Sequence, residues 1–145
     1  MKLLQQIEIW GDRHHPKWLD IVRICLGIFL FFMGVLFIQN RDALISTIND
    51  NPKLAVISIW LGHYVVFAHL AGGLLIALGL LTRVSVLVNI PVLLGAVFFV
   101  HSPTELFLVY RIPGLPIAIL LLLIFFMVEG SGPLSVDDYM RRHPA

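Results

Sequence analysis

The chain has 145 residues, of which 59% are hydrophobic and only 13% are charged. Because an average soluble domain has roughly 45–50% apolar and about 25% charged residues, this composition excludes a typical soluble protein and predicts one embedded in a lipid bilayer. The length allows one helical bundle without a separate catalytic domain. The formal net charge of +1 argues against a nucleic-acid partner.

The residues before Leu19 are polar and basic, and they lack the layout of a cleavable signal peptide, in which an apolar stretch closely follows a short basic one. Four apolar residues in this lead recur at helical spacing: Leu3, Leu4, Ile7 and Trp10. The spacing predicts that residues 3–10 lie flat on the membrane surface.

Four apolar segments follow, and we expect them to be membrane-spanning helices over residues 19–38, 59–81, 84–100 and 115–128. The first two have the roughly 20 residues that a helix needs to cross about 30 Å of hydrocarbon. The last two are shorter, so flanking residues, tilt or local thinning of the bilayer would have to complete them. Without an internal repeat or linker, residues 1–145 are predicted to form a single domain, an all-α integral membrane protein with an antiparallel bundle of four transmembrane helices.

The basic residues are distributed unequally between the two sides of such a bundle. One side would contain Lys2, Arg13, Lys17, Arg23, Arg83, Arg141 and Arg142, and the other only Arg41, Lys53 and Arg111. Since cytoplasmic loops have an excess of lysine and arginine, this bias predicts that both termini lie in the cytoplasm.

The first outer loop has an apolar pattern of its own. Three residues predict a short outer interfacial helix: Leu44, Ile45 and Ile48. This helix would end at the turn over residues 49–52, where Asn51 is placed to cap the next helix with Pro52 at its first position. A helix from there to Leu81 would be about 45 Å long, so we expect it to tilt, protrude or break near Gly62.

Three charged residues lie at the predicted cytoplasmic ends of the first and fourth spans: Asp20, Arg23 and Glu129. A pairing of Arg23 with Glu129 or with Asp20 would satisfy these charges at the headgroup boundary, and we expect this structural role; a proton or anion path is the alternative. Cys25 is the only cysteine, which excludes a disulfide within the chain, and its apolar surroundings predict a small packed residue.

A second polar group is expected at the outer ends of spans two and three. His63, His101 and Glu105 could approach one another there, and such side chains bind zinc, copper or iron. No HxxxH or ExxH pair places two ligands on one helix face, so we expect histidines bonded to water or backbone and no metal site. A haem is not expected either, because His69 lies roughly 15 Å below the outer edge and only the shallow pair of His63 and His101 matches in depth.

His69 lies in the middle of the second apolar segment. Ionisable side chains are rare at such positions, and their presence by default suggests a functional role. It shares a helix face with Gly72 and Gly73, and small residues beside one polar group are typical of a packed interior face. Three interpretations are open: a hydrogen bond across helices, with Asn89 as the nearest candidate; contact with a quinone or another apolar ligand; or a role as a metal or haem ligand.

Three stretches of the sequence resemble the DoxX-like family. They are the run from His69 to Arg83, with Gly72-Gly73 and Gly79-Leu-Leu-Thr-Arg; Arg23-x-x-x-Gly27 followed by Gly34; and Gly130-Ser-Gly-Pro-Leu-Ser-Val-Asp137. The resemblance covers roughly residues 19–137 and implies a small four-helix protein of the bacterial cytoplasmic (inner) membrane. The family is named after a subunit of a thiosulfate:quinone oxidoreductase.

Two positions depart from the pattern of that family. Many members have a glutamate near the glycine pair, where this chain has His69, and many have an acidic residue that opens span four, where this chain has Leu115 and Pro116. The resemblance therefore implies the fold more strongly than the chemistry.

The sequence contains no metal motif and no nucleophile–base pair, so we do not expect an enzyme that acts alone. We expect an accessory subunit of a larger membrane assembly linked to redox or quinone chemistry, with other membrane subunits or further copies of the chain as partners. Two alternatives stay open: a small carrier that binds a lipid or other hydrophobic ligand, and a structural assembly factor. The ligand-binding residues would be His69, Asn89, Gly72 and Gly73, with quinone as the candidate cofactor.

The bias of basic residues leads to a topology prediction. A reporter fused after Ala145 should be active only in its cytoplasmic form, and a reporter inserted near Asn49 only in its periplasmic form. Paired phosphatase and fluorescent-protein fusions measure this. A periplasmic C-terminus would overturn the orientation and, with it, the outer placement of His63 and His101.

Overall fold

The computed structural model describes residues 2–3, 5–6, 9–10, 16–99 and 114–144. Within these ranges the chain is helical between its turns and contains no strand, which confirms the predicted all-α class. The helices are α1 (Lys17–Gln39), α2 (Arg41–Asn49), α3 (Ala55–Leu78), α4 (Thr82–Phe99), α5 (Leu115–Glu129) and α6 (Val136–Arg142).

Two of these helices, α1 and α3, are long and apolar enough to cross a bilayer, with 23 and 24 residues. At 1.5 Å per residue they reach about 35 Å. The other two apolar helices, α4 and α5, are shorter. Large side chains such as Phe32, Trp60, Phe67 and Leu121 are exposed on the outside of the protein. So much exposed apolar surface is unusual for a soluble monomer and suits contact with lipid tails.

The described residues form two apolar clusters in the interior. The larger one joins α1, α3, α4 and α5 through the buried side chains of Leu26, Leu30, Ile76, Val86, Leu93, Ile119, Leu123 and Phe126. The smaller one packs α2 against α1 through Met33, Phe37, Leu44 and Ile48. Because Leu44 and Ile48 are two of the residues that predicted the short helix, α2 is held on the bundle by the apolar face that the sequence indicated.

The backbones of α1 and α3 touch at a pair of glycines. A Cβ added to Gly73 would lie 2.5 Å from the backbone nitrogen of Phe31 and 2.7 Å from the carbonyl oxygen of Gly27. A Cβ on Gly27 would in turn lie 2.6 Å from the carbonyl oxygen of Gly73. Only glycine allows this approach, which is how small residues bring membrane helices together.

The start and the irregularity of α3 differ from the sequence-based expectation. Asn51 does not cap a helix directly; its Oδ1 accepts a hydrogen bond from the Lys53 N–H at 3.1 Å within a turn, and the first helical residue is Ala55. The helix does not break near Gly62. It instead changes to π-helical geometry over Ala68–Gly72, between α-helical stretches at Ser58–Phe67 and Gly73–Leu78.

Cys25 is exposed, so the prediction of a packed cysteine is wrong. The buried face of α1 is formed instead by Arg23, Leu26, Gly27 and Leu30, and Cys25 lies on the opposite side of the helix. An apolar segment alone does not distinguish the two faces, because lipid and protein interior are equally apolar.

The described residues before Pro16 are helical and exposed: Lys2, Leu3, Gln5, Gln6, Ile9 and Trp10. Leu4 and Ile7 lie outside the described residues. That residues 3–10 rest on the membrane surface stays a prediction.

The glycine contact between α1 and α3 gives a stability prediction. Gly73→Ala should lower the unfolding temperature in detergent, because overpacking costs about 1–3 kcal/mol and exceeds the ~1 kcal/mol by which alanine favours a helix over glycine. Gly95→Ala on α4 is the matched control, since nothing lies within 4 Å of an added Cβ there. It should leave the unfolding temperature unchanged or raise it. Equal changes in the unfolding temperature of the two variants would mean that α1 and α3 do not touch at Gly73.

Candidate functional site

An apolar cavity of about 130 Å³ lies among α1, α2, α3 and α4, and we call it the His69 cavity. Most of its lining is aliphatic or aromatic, and the polar side chains that reach it are Thr47, Asn51, Tyr64 and His69. A dry cavity of about 150 Å³ is known to bind benzene. The His69 cavity therefore has the size of one six-membered ring.

His69 lies in the π-helical segment Ala68–Gly72 and is only 1% exposed. Its ring packs edge to face against Phe37, with the ring centres 5.1 Å apart and the planes at 84°. Single π-helical turns inside α-helices are rare and occur often at functional sites. The π-helical turn of α3 thus contains the one buried ionisable side chain of this helix.

The hydrogen bond of His69 determines its tautomer. Nδ1 lies 2.9 Å from the carbonyl oxygen of Val65, one turn earlier in the same helix. A carbonyl can only accept, so Nδ1 holds the hydrogen and donates. In the neutral ring, which apolar walls favour, Nε2 is then an acceptor. The imidazole can accept a hydrogen bond or a proton at Nε2, but it cannot donate there while neutral.

Asn89 is fully buried near the same segment. Its Nδ2 donates to the carbonyl oxygen of Ser85 at 2.9 Å, and the amide lies so close to Gly72 that an added Cβ would overlap it. Within the described residues, His69 and Asn89 are each bonded inside their own helix. Because Gly72 has no side chain, there is room beside it for the amide of Asn89. The missing side chain of Gly73 instead allows the close contact with α1.

His63 does not line this cavity and lies on the exposed side of α3. Its Nδ1 donates to the carbonyl oxygen of Ile59 at 2.7 Å, so it repeats the local bond of His69 without the burial. His63 and Arg41 both line a wide apolar groove formed by α1, α2 and α3. The expected neighbours His101 and Glu105 lie outside the described residues, so the outer polar cluster stays a prediction.

At the end of the bundle where α1 begins, Arg23 and Asp20 form an ion pair at 2.9 Å with no exposure of either side chain. Arg23 also donates to the carbonyl oxygens of Ser131 and, at 2.8 Å, of Leu134. Asp20 accepts from the N–H of Leu134 at 3.2 Å. We call Asp20, Arg23 and residues 131–137 the polar clasp.

Asp137 extends the polar clasp to the turn between α3 and α4. Its carboxylate accepts from the backbone N–H groups of Leu81 at 2.9 Å and Thr82 at 3.2 Å. These N–H groups lie at the start of α4, where the helix itself offers them no acceptor. The N–H of Asp137 donates to the carbonyl oxygen of Gly79 at 3.0 Å. Gly79 has a positive φ of 70°, and an added Cβ would meet Ser135, so only glycine suits this turn. The segment from Gly130 to Asp137 therefore connects α1 with the adjacent ends of α3 and α4.

Glu129 is buried at 7% exposure, but within the described part of the chain it forms no ion pair with Arg23. It lines a polar pocket together with Thr82, Arg83, Ser131 and Asp137. Of the two partners expected for Arg23, the structure places Asp20 against it. Glu129 belongs to the neighbouring pocket.

Sequence reasoning did not identify Asp137, Thr82 or Ser85 as functional candidates. Thr82 and Ser85 are 1% and 3% exposed and lie on the same face of α4 as Asn89. Their spacing of three and four residues is the signal that could have found them. No group of three metal-binding side chains occurs among the described residues.

The polar clasp predicts an unequal effect of two arginines on stability. Arg23→Met should destabilise the protein by about 3–5 kcal/mol, because it leaves the carboxylate of Asp20 buried without its partner. Arg142→Met is the matched control: its guanidinium also pairs with an aspartate, Asp138 at 2.8 Å, but is 67% exposed, so the loss should stay below about 1 kcal/mol. Unfolding in detergent by chemical denaturant measures both. Similar losses from the two variants would contradict the buried pairing.

Comparison with known proteins gives one match. The DoxX family model matches residues 18–102, which is more than half of the 145-residue chain. A comparison with curated proteins found no match, and neither did a comparison with solved structures. The matched region contains His69, the glycine pair, and the clasp residues Asp20 and Arg23. The chain therefore belongs to the DoxX family, and its apolar helices are those of a membrane protein.

Proposed function

We propose that this protein is an accessory subunit of a redox-linked membrane assembly and that it binds a quinone-class ring in the His69 cavity. The observation that supports this most directly is the burial of His69 on the wall of an apolar cavity that matches one six-membered ring in volume. Ligand pockets typically combine apolar walls with a few placed polar groups. An isoprenoid tail would extend from the ring into the surrounding lipid.

The tautomer of His69 favours one oxidation state of such a ligand. With Nδ1–H bonded to Val65, the neutral imidazole presents an acceptor at Nε2. A quinol has hydroxyl groups that donate to such an acceptor, whereas a quinone has only carbonyl oxygens, which also accept. His69 would therefore bind and orient the reduced ring by accepting a hydrogen bond from its hydroxyl. The chemistry of the ring itself belongs to the ligand.

We further propose the four-span, antiparallel arrangement in the inner membrane, with the polar clasp on the cytoplasmic side. The unequal distribution of basic residues supports this orientation. Arg83 and Arg141, which line the polar pocket beside the clasp, support it too, because arginine side chains at that end of the bundle can reach the headgroups. α2 and the His69 cavity would then be toward the periplasmic side.

A second candidate function is a carrier for a lipid or another hydrophobic molecule. The groove of α1, α2 and α3 supports it, since its walls are apolar and Arg41 and His63 lie within it. A lipid in this groove would contact Arg41 and not His69. The two candidates therefore predict different sensitive residues.

The ring-binding proposal predicts a difference between oxidation states. A short-tailed quinol should raise the unfolding temperature of the purified protein, because a ligand that binds only the folded state stabilises it. The corresponding quinone should raise it less. In His69→Gln, which keeps similar bulk, the quinol effect should be lost although the protein still folds.

His63→Gln is the matched control for this experiment, because His63 has the same local hydrogen bond outside the cavity. It should respond to the quinol like the unmodified protein. A quinol effect that persists in His69→Gln would contradict the proposal, and one that disappears in Arg41→Ala would favour the carrier. Quinone extracted from the protein purified out of native membranes gives an independent measure.

A further inference from the structure

The groove formed by α1, α2 and α3 has a volume of about 750 Å³ and opens on the outside of the bundle, where Phe67 and Leu74 are exposed. Its lining on α3 extends from Gly62 to Leu74, which at 1.5 Å per residue is about 18 Å. One leaflet of a bilayer contains about 15 Å of hydrocarbon, half of the total thickness. The groove therefore has the length of one lipid acyl chain in one leaflet.

The two polar side chains of the groove, Arg41 and His63, lie at the same end of it, which we call the groove mouth. Arg41 is the first residue of α2, and His63 follows Gly62 on α3. These two helices meet there, because a Cβ added to Gly62 would lie 3.5 Å from Cγ1 of Ile45, one turn after Arg41. The rest of the lining is apolar.

Trp60 indicates the depth of the groove mouth in the membrane. It lies one helical turn before His63, and its side chain is 81% exposed. Tryptophan is enriched at the boundary between membrane and water. The groove mouth therefore lies at the level of the lipid headgroups, and the apolar part of the groove lies among the tails.

The charge at the groove mouth suits an anion. Among the described residues that line the groove, Arg41 is the one with a permanent charge. Asp42 follows it but does not line the groove, and no ion pair joins Arg41 to a described carboxylate. A guanidinium group binds a phosphate with two parallel N–H donors. The groove mouth can thus hold the phosphate of a lipid whose acyl chain fills the groove.

The hydrogen bond of His63 selects among phospholipid headgroups. Its Nδ1 donates to the carbonyl oxygen of Ile59, so the neutral ring presents an acceptor at Nε2. A glycerol headgroup has hydroxyl groups that donate to such an acceptor, whereas choline has no donor. Ethanolamine has N–H donors, but it would place a second cation beside Arg41. A glycerol headgroup therefore fits both side chains of the groove mouth.

We propose that the groove binds one molecule of phosphatidylglycerol, with its phosphate on Arg41 and a headgroup hydroxyl donating to His63. One acyl chain lies between α1 and α3, and the other stays in the surrounding lipid. This inference rests on the groove of the second candidate function and names the class of its ligand. It does not depend on a ring ligand in the His69 cavity.

Native mass spectrometry of the full chain tests this, with the protein released from micelles that contain equal amounts of dioleoyl phosphatidylglycerol and dioleoyl phosphatidylcholine. The chain should retain one phosphatidylglycerol in preference to phosphatidylcholine. In Arg41→Gln this preference should fall about tenfold, because a hydrogen bond to a charged group contributes about that factor. An unchanged preference in Arg41→Gln would overturn the proposal.

Phosphatidylmethanol tests the contact with His63, because it has the same charge as phosphatidylglycerol but no headgroup hydroxyl. It should bind about threefold more weakly than phosphatidylglycerol to the unmodified protein, in line with one neutral hydrogen bond. In His63→Phe, which keeps an aromatic ring without an acceptor, the two lipids should bind equally. A difference between them that persists in His63→Phe would contradict the assignment of His63.

Lys53→Gln is the matched control for charge, since Lys53 is exposed in the turn before α3 and does not line the groove. It should keep the lipid preference. Equal losses in Lys53→Gln and Arg41→Gln would overturn the proposal, because the preference would then follow from general surface charge. A dimer without bound lipid would overturn it as well, because a second copy of the chain would then cover the groove.

His69→Gln separates this inference from the proposed ring ligand. It should leave the retention of phosphatidylglycerol unchanged, even where the effect of a quinol on the unfolding temperature is lost. Loss of the lipid in His69→Gln would overturn the inference, because the lipid would then occupy the His69 cavity.

Discussion

The ion pair between Arg23 and Asp20 has no exposure to solvent, and it brings distant parts of the chain together at one end of the bundle. Moving two charges out of water is expensive, and their attraction compensates only when the remaining donors and acceptors are also satisfied. Backbone groups of residues 131–134 supply those partners, and Asp137 then caps the start of α4. The charge pair thus fixes where the chain must run after α5. That run in turn sets the register of α4 beside the site.

Three polar side chains within the apolar helices bond to their own helix. His63, His69 and Asn89 each donate to the carbonyl oxygen four residues earlier. Hydrocarbon offers no hydrogen-bond partners, so a local bond of this kind lets a polar residue be placed without depending on a neighbouring helix. At His69 this bond has a functional consequence, because it commits Nδ1 as the donor and leaves an acceptor at Nε2. The backbone thereby determines the tautomer of the neutral imidazole.

The sequence was sufficient for the helical class, for α2 and for the burial of His69, because those depend on composition and on periodicity along one segment. It was insufficient for Cys25, since lipid and protein interior have the same apolar signature. The choice between Asp20 and Glu129 as the partner of Arg23 depended on where residues 131–134 fold back, which no local pattern encodes. The π-helical turn at Ala68–Gly72 also had no local signal, as it follows from the close packing of Gly72 on Asn89 and of Gly73 on α1.

His69 lies on the wall of a ring-sized apolar cavity. In the proposed function this cavity holds a quinol, and the oxidation of a quinol releases electrons as well as protons, so it needs an electron acceptor. The proposed accessory role assigns that acceptor to a partner subunit, and the apolar outer surface of the bundle is the surface such a partner would contact.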